Sequence, residues 1–384
     1  MSDHPFDLAT EAHLRKRQSA KWRVYPSDVL PAWVAEMDYP IAAPVKQVLS
    51  EALAVDDAGY ADPRGLGDAF APWARSTWGW DVAPGDVMVA PDVVTALGEL
   101  LLVATSPGDG VVIDPPVYAP FAATIRRLHR KLVEAPLVRS ESGTFSLDVD
   151  AIERAYAGGA RAHVLCSPHN PTGIVHPRET LAKVAELAAR YGVLVLSDEI
   201  HAPLTYGDGE HVPFPMASAD AARTSIVLTS ASKTWNLAGL KASVIVAAHD
   251  DTRAIVRRLP ADLPYHAGHL GVLGARTAFE AGGEWLASTM RILDRNRRLV
   301  AQLLAEHLPR ARYVLPRAGY LAWIDCTDVG LGPDPAKAFL ERGRVALSPG
   351  PTFGTGGEGF ARLNFATTRA LLEDAVRRMG HAAK

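Results

Sequence analysis

Cysteine is nearly absent from this chain: Cys166 and Cys326 are the only two in 384 residues. Their wide separation excludes a disulfide framework and fits a reducing cytoplasm. Long apolar runs are missing as well, none approaching the roughly 20 residues of a membrane-spanning helix. The opening MSDHPFDLATEAHLRKRQSAKW is polar and charged, without the apolar core of a signal peptide, so an unexported chain is expected. Neither sign of charge dominates, 40 basic against 43 acidic side chains leaving a net charge of -3. No global field therefore favours nucleic acid or an anionic membrane, and a small-molecule partner is expected. No repeat period recurs, which excludes solenoids. The stretch VMVAPDVVTALG, Val87–Gly98, lacks the Gly-x-Gly-x-x-Gly fingerprint and speaks against a dinucleotide-binding dehydrogenase.

What the chain contains is an apolar content of 48% with 22% charged residues, the composition of a globular protein. At 384 residues it is too long for one ordinary core. The expected division is an N-terminal arm over 1–44 that joins the smaller domain, a large domain over 45–280 and a small C-terminal domain over 281–384. Between Lys21 and Pro44 the prolines Pro26, Pro31, Pro40 and Pro44 favour an extended arm over a helix. Val45–Val55 puts Val45, Val48, Leu49 and Leu53 on one helical face, and after the turn signals of GYADPRG a second amphipathic segment runs through Trp73.

From Val87 onward short apolar runs alternate with helical segments. VMVA, GVVID, AHVLCSP, VLVLSDE, SIVLTSAS and ASVIVAA read as strands, and stretches such as 122–128 and 178–191 as helices. That rhythm predicts an α/β fold whose large domain holds a mostly parallel, doubly wound sheet, with a smaller α+β domain after it. The smaller domain opens with WLASTMRILDRNRRLVAQLLAEHL, where Leu293, Val300, Leu303 and Leu304 form a buried stripe and the charges a solvated face. YLAWID, VALSPG and FARLNFA follow as strands, with GPTFGTGGEGF a flexible loop before the last.

The chemistry gathers around SIVLTSASKTWNLAGLK, Ser225–Lys241. Its β-prone residues run into a small-residue loop that delivers Lys233 at a strand's carboxyl end, where ligands bind in open α/β sheets. Alone, such a lysine reads as a solvated loop residue. Two further motifs stand at strand ends, SPHNPTG at Ser167–Gly173 and SDEIH at Ser197–His201. Together they supply a neutral amide donor, a carboxylate beside an imidazole, and a primary amine. That trio matches what pyridoxal 5'-phosphate requires: an amine for the Schiff base, a carboxylate to keep the pyridine nitrogen protonated, and a donor for the phenolic oxygen.

With its motifs in order, from WVAEMDYP through GYADPRG, SPHNPTG, SDEIH, SASKTWNLAGLK and YLAW to FARLNFA, the chain resembles fold-type I pyridoxal-phosphate enzymes of the class I/II aminotransferase superfamily. Within it the chain is similar to the MalY/PatB-type C–S β-lyases, often called cystathionine β-lyases. The resemblance covers nearly the whole length and implies the PLP-dependent transferase fold. It assigns Lys233 to the Schiff base and the later proton shuttle, Asp198 to the ring nitrogen and Asn170 to the phenolic oxygen. Tyr118 would stack on one ring face and Ile200 press on the other. Val93 and Val94, at a helix N-terminus, would offer amides to the phosphate, with Ser230, Ser232 and Lys241 as its side-chain ligands. Arginine is more usual at position 241, and lysine brings a point charge without the bidentate fork.

Tyr60 resembles the tyrosine that reaches the phosphate of a neighbouring subunit, which implies a homodimer with composite sites. Arg362 resembles the residue that grips the substrate α-carboxylate, Glu36, Asp38 and Tyr320 are expected on the substrate side, and no metal is implied. Plainer alternatives stand beside several of these: Asp198 as a helix N-cap, Asn170 as an Asn-Pro turn residue, Tyr118 as a core aromatic and Arg362 as a surface strand residue.

These groups serve the cofactor generally and leave the reaction open. Transamination returns a proton to the cofactor carbon, whereas β-elimination expels a leaving group from the substrate Cβ and yields pyruvate, ammonia and a thiol. His201 discriminates: aminotransferases of the superfamily typically carry tyrosine there, and DEIH together with WVAEMDYP resembles the lyases. A histidine titrating near neutrality could assist proton transfer to sulfur, a structural hydrogen bond being the other role. The resemblance thus implies β-elimination of L-cystathionine or related cysteine S-conjugates, with a class I/II aminotransferase acting on an L-amino acid and a 2-oxo acid as the alternative. A non-catalytic effector domain of a transcription regulator would call for a basic helix-turn-helix before the arm, and none is read there.

Overall fold

Apolar strands buried on both faces organise the chain. The computed structural model describes residues 5–207 and 209–384. Its main sheet has seven strands: β1 Val87–Ala90, β2 Gly110–Ile113, β3 Lys131–Glu134, β4 Ala160–Cys166, β5 Leu194–Asp198, β6 Ser225–Thr229 and β7 Ser243–Val246. The spatial order is β1-β7-β6-β5-β4-β2-β3. Only β7 runs against the others, pairing antiparallel with both β1 and β6. All five residues of β6 are buried, the continuous pattern expected of a strand covered on both sides. Residue parity still sorts the layers. Val111 and Ile113 pack with Leu97, Leu101 and Phe121, while Val112 between them packs with Leu181, Val184 and Leu187.

The expected helices form, Arg178–Tyr191 with the expected bounds and Ala43–Ala54 with Pro44 in its first turn. Leu66–Trp78 runs past Trp73 and includes Pro72. β3 escapes a sequence reading because KLVE is an edge strand whose charged ends are exposed.

The Arg-rich helix Gly283–His307 buries its expected stripe but departs from a purely solvated charged face. Arg297 is 1% exposed. It lies four residues after Leu293 and three before Val300, so helical spacing carries it into the stripe. There its Nη1 donates to the Pro316 carbonyl at 2.9 Å, Nε to Asp294 at 2.7 Å, and the guanidinium lies 4.0 Å over the Tyr206 ring.

A second, four-stranded antiparallel sheet joins Arg312–Tyr313, Leu321–Asp325, Phe360–Asn364 and Ser348–Pro349. The arm packs with this layer: Leu14, Trp22, Met37 and Tyr39 share one core with Leu293, Phe339 and Val376. Leu30–Pro31 also pairs with Val345–Ala346. Two differences from the sequence reading follow. The arm is mostly irregular and contains short helical turns, the last at Ala20–Arg23. That turn folds Lys21 and Trp22 onto Asp38, which accepts from Lys21 Nζ at 2.8 Å and Trp22 Nε1 at 3.0 Å. Asp38 is therefore an internal partner of the arm and does not face substrate. The glycine-rich GPTFGTGGEGF is likewise no loose loop, since Gly350–Phe353 is a 3-10 turn with Phe353 buried. Among the described residues no helix is long and apolar enough to cross a membrane.

The Lys21–Asp38 pair is buried on both sides. Asp38→Ala leaves a buried cation without its carboxylate and is expected to cost about 3–5 kcal/mol, read as a lowered urea midpoint. An unchanged midpoint would show that the pair does not hold the arm.

Candidate active site

Strand register assembles the site. Cys166 at the end of β4 stands opposite Asp198 at the end of β5, and Asp198 opposite Leu228 in β6. The chain therefore leaves these strands at one level, at the carboxyl edge where α/β sheets bind ligands. A cavity of about 820 Å³ opens there, its wall including Tyr118, Asn170, Asp198, His201, Lys233 and Arg362.

Lys233 sits in the helical turn Ala231–Thr234, capped by Ser230, whose hydroxyl accepts from Ser232 N at 3.0 Å. The residue is half-buried, and its amine donates to the Ala35 carbonyl at 2.9 Å. Burial and then the Arg362 charge bring that amine down to about 8, against the pull of Asp198. Asp198 accepts from Ile200 N at 3.1 Å, closing its own loop rather than capping a helix. Burial pushes its carboxyl up to about 7 in spite of that N–H. His201 is buried and stays neutral, held down to about 3 by burial and by the charges of Lys233 and Arg362. Its Nδ1 has no hydrogen-bond partner among the described residues. The structural hydrogen bond considered for His201 is not made at that nitrogen.

Arg362 reaches the cavity from the small sheet. Nη1 donates to Asn170 Oδ1 at 2.8 Å, Nη2 to Ser348 Oγ at 3.0 Å and to the Trp33 carbonyl at 3.1 Å. It is buried over the Phe353 ring and so is not a surface residue, and burial lowers it to about 10, which leaves it charged at neutral pH. Its Nε has no hydrogen-bond partner among the described residues. Asn170 uses its oxygen on Arg362, which orients the amide nitrogen away from that contact. Tyr118 and Ile200 both line the cavity, and burial raises the Tyr118 phenol.

At the other end the helix Val93–Ala104 begins, capped by Asp92 through Thr95 N at 2.8 Å. The amides of Val93 and Val94 belong to the first turn, which has no acceptor within the helix. Ser232 and Lys241 line this end with them. Lys241 has a left-handed backbone with φ 61, and its carbonyl accepts from Gly268 N at 2.7 Å. The loop is clamped from outside, since a Cβ on Gly271 would stand 2.2 Å from the Leu240 carbonyl.

Besides Asp38, four expected residues lie off the cavity wall. Ser230 is buried and donates its hydroxyl to the Ala242 carbonyl at 2.6 Å. Tyr320 is buried behind the arm, its hydroxyl donating to the Ala35 carbonyl at 3.1 Å. Glu36 accepts from Ser19 Oγ at 2.6 Å. Tyr60 is 90% exposed. Conversely, Val34, Ala35, Asp92 and Cys166 line the cavity without having been singled out. Only Asp92 carried a readable signal, an N-cap residue just before an apolar helix.

An amine near neutrality, a carboxylate, an amide and a helix N-terminus beside a lysine are the groups that pyridoxal 5'-phosphate needs, and they meet in one cavity. The residues present fit that group. The model of the family described as aminotransferase class I and II matches residues 33–379. The chain belongs to that family. A protein of Mycobacterium leprae is 40% identical, with 100% of this chain and 99% of that one covered. Cystathionine beta-lyase PatB of Bacillus subtilis is 35% identical over 94% of this chain and 96% of its own. The PLP-bound C–S lyase from Staphylococcus hominis superposes with a TM-score of 0.90 at 26% identity, covering 99% of both chains.

Asp198 gives a test independent of turnover. Its folded value of about 7 lies above the ordinary 3.8, so the folded cofactor-free chain binds more protons than the unfolded one between those values. Ionised Asp198 then destabilises the fold by an amount that grows as pH rises from 4 to 7, on the order of 4 kcal/mol at the top. Asp198→Asn is expected to raise the urea midpoint of the cofactor-free chain at pH 8, with the gap closing below pH 4. A destabilised variant at pH 8 would contradict this.

Proposed function

We propose that this chain is a pyridoxal-phosphate-dependent C–S β-lyase that cleaves L-cystathionine or related cysteine S-conjugates to a thiol, pyruvate and ammonia. The observation that carries this reading is a poised amine, Lys233, in one cavity with Asp198, Asn170 and Arg362, beside a neutral histidine. When bound, the cofactor supplies the electron sink that lets the Cα–H bond and then the Cβ–S bond of the substrate break.

The chain's own groups do the rest. Arg362 holds the α-carboxylate, with Nε the free donor. Asp198 would take the ring nitrogen, and a positive charge there would oppose the burial that raises it. Asn170 would offer Nδ2 to the phenolic oxygen. Val93 N, Val94 N, Ser232 and Lys241 would hold the phosphate, and Ser230 orders their loop. Lys233 Nζ takes the Cα proton. With a value of about 8, its ammonium is matched to a thiol near 8.5 and can return that proton to the departing sulfur. His201, kept neutral chiefly by burial, gives the sulfur a hydrogen bond rather than a charge. Tyr118 and Ile200 would flank the ring. Glu36 and Tyr320 act through the arm, holding the Ala35 wall.

We also infer a homodimer with composite sites, supported by the exposure of Tyr60, and a division into an arm at 1–44, a large domain at 45–280 and a small domain at 281–384. The buried, free Cys166 and Cys326 suit a cytoplasmic location.

Purified protein is expected to be yellow and to lose its visible band in Lys233→Ala. Supplied with L-cystathionine alone, it should release pyruvate and thiol. His201→Phe should lower kcat by about 10–100-fold with little change in KM. If turnover requires a 2-oxo acid acceptor, the chain is an aminotransferase instead.

A further inference from the structure

The phosphate end of the cavity contains an anion of its own. Asp92 Oδ1 accepts from Thr95 N at 2.8 Å, and Oδ2 accepts from Lys241 Nζ at 3.1 Å. Asp92, Val93, Val94, Ser232 and Lys241 line one stretch of the wall. Burial raises the Asp92 carboxyl, but the Thr95 N–H and the Lys241 ammonium outweigh it and hold it below the ordinary range. The carboxylate is therefore ionised at neutral pH. The left-handed backbone of Lys241 and the Gly268 contact fix where its stem starts, and from there its 58% exposed side chain reaches Asp92.

A phosphate dianion entering here meets the first-turn amides of Val93 and Val94 and the lysine, but that lysine is already paired. Arg127, on the same wall, is exposed and adds a more solvated cation. Two like-charged groups then compete for Lys241 at short range, a cost that falls on the bound state alone. An asparagine at 92 would keep the helix cap and remove the competitor, since both residue types cap equally well.

We propose that Asp92 is an internal competitor for Lys241 that weakens the grip of this site on a phosphate monoester, leaving the cofactor exchangeable. This rests on the reading of Val93, Val94 and Lys241 as the phosphate end. Asp92 touches the group that holds phosphate and acts through it.

The test is calorimetric titration of the full chain, stripped of cofactor, with inorganic phosphate. Four proteins are compared: wild type, Asp92→Asn, Lys241→Ala and the double variant, with urea midpoints confirming the fold. Asp92→Asn is expected to bind phosphate about tenfold more tightly, Lys241→Ala to bind it more weakly, and the Asp92→Asn gain to vanish in the double variant. In the holoenzyme, the visible band of Asp92→Asn should fade more slowly after dilution. If Lys241→Ala weakens phosphate while Asp92→Asn leaves it unchanged or weaker, Lys241 is a phosphate ligand and Asp92 does not compete with it. If Lys241→Ala has no effect, phosphate lies elsewhere and the proposal falls with the reading beneath it.

Discussion

Parallel pairing of β4, β5 and β6 is the constraint on which the rest depends. Cys166, Asp198 and Leu228 stand in one row across the sheet. Because side chains alternate along a strand, a slip of one residue in β5 would turn Asp198 from one helical layer to the other. The hydrogen-bond ladder and the continuous apolar burial of β6 thus set where a carboxylate and an amine can meet. On this sheet chemistry enters at the last rung of the ladder, Asp198, and at the residues just beyond it, where the backbone is free to turn.

The opposite wall is built by a different rule. Among the described residues, 33–37 of the arm have no sheet partner, and their carbonyls are satisfied mostly from side chains. Trp33 accepts from Arg362 and Ser348, Val34 and Glu36 from Asn364, Ala35 from Lys233 and Tyr320, and Met37 from Asn236. Asn236 also accepts from Met37 N at 2.8 Å, which makes the contact reciprocal. The loop carrying Lys233 and the strand carrying Arg362 are therefore tied to the same short piece of backbone. Displacing the arm would disturb the amine and the guanidinium together.

Much of this was legible in the sequence because strand, loop and motif coincide there. SIVLTSASK reads as a buried strand delivering a lysine, and SDEIH as one delivering a carboxylate. What escaped was contact between distant segments. Nothing in WVAEMDYP says that Asp38 turns inward to Lys21 while the Ala35 carbonyl turns toward Lys233, because the first contact depends on a helical turn more than ten residues earlier and the second on a loop about 200 residues later. Arg297 read as solvated because charge outweighed spacing, although its interval from Leu293 placed it in the stripe. Ser230 and Tyr320 sit in motifs next to the site, yet their hydroxyls are engaged by the Ala242 and Ala35 carbonyls. Motif membership located the neighbourhood, and the hydrogen-bond partners separated the cavity wall from its supports.

Lys233 as the covalent anchor of the cofactor is the claim on which the functional reading turns. The most direct measurement is borohydride reduction of the purified yellow protein followed by peptide mass spectrometry. The reduced pyridoxyl-phosphate group should be found on Lys233 and on no other lysine. Its recovery on a different residue, or an unmodified Lys233 after the colour is bleached, would contradict the assignment.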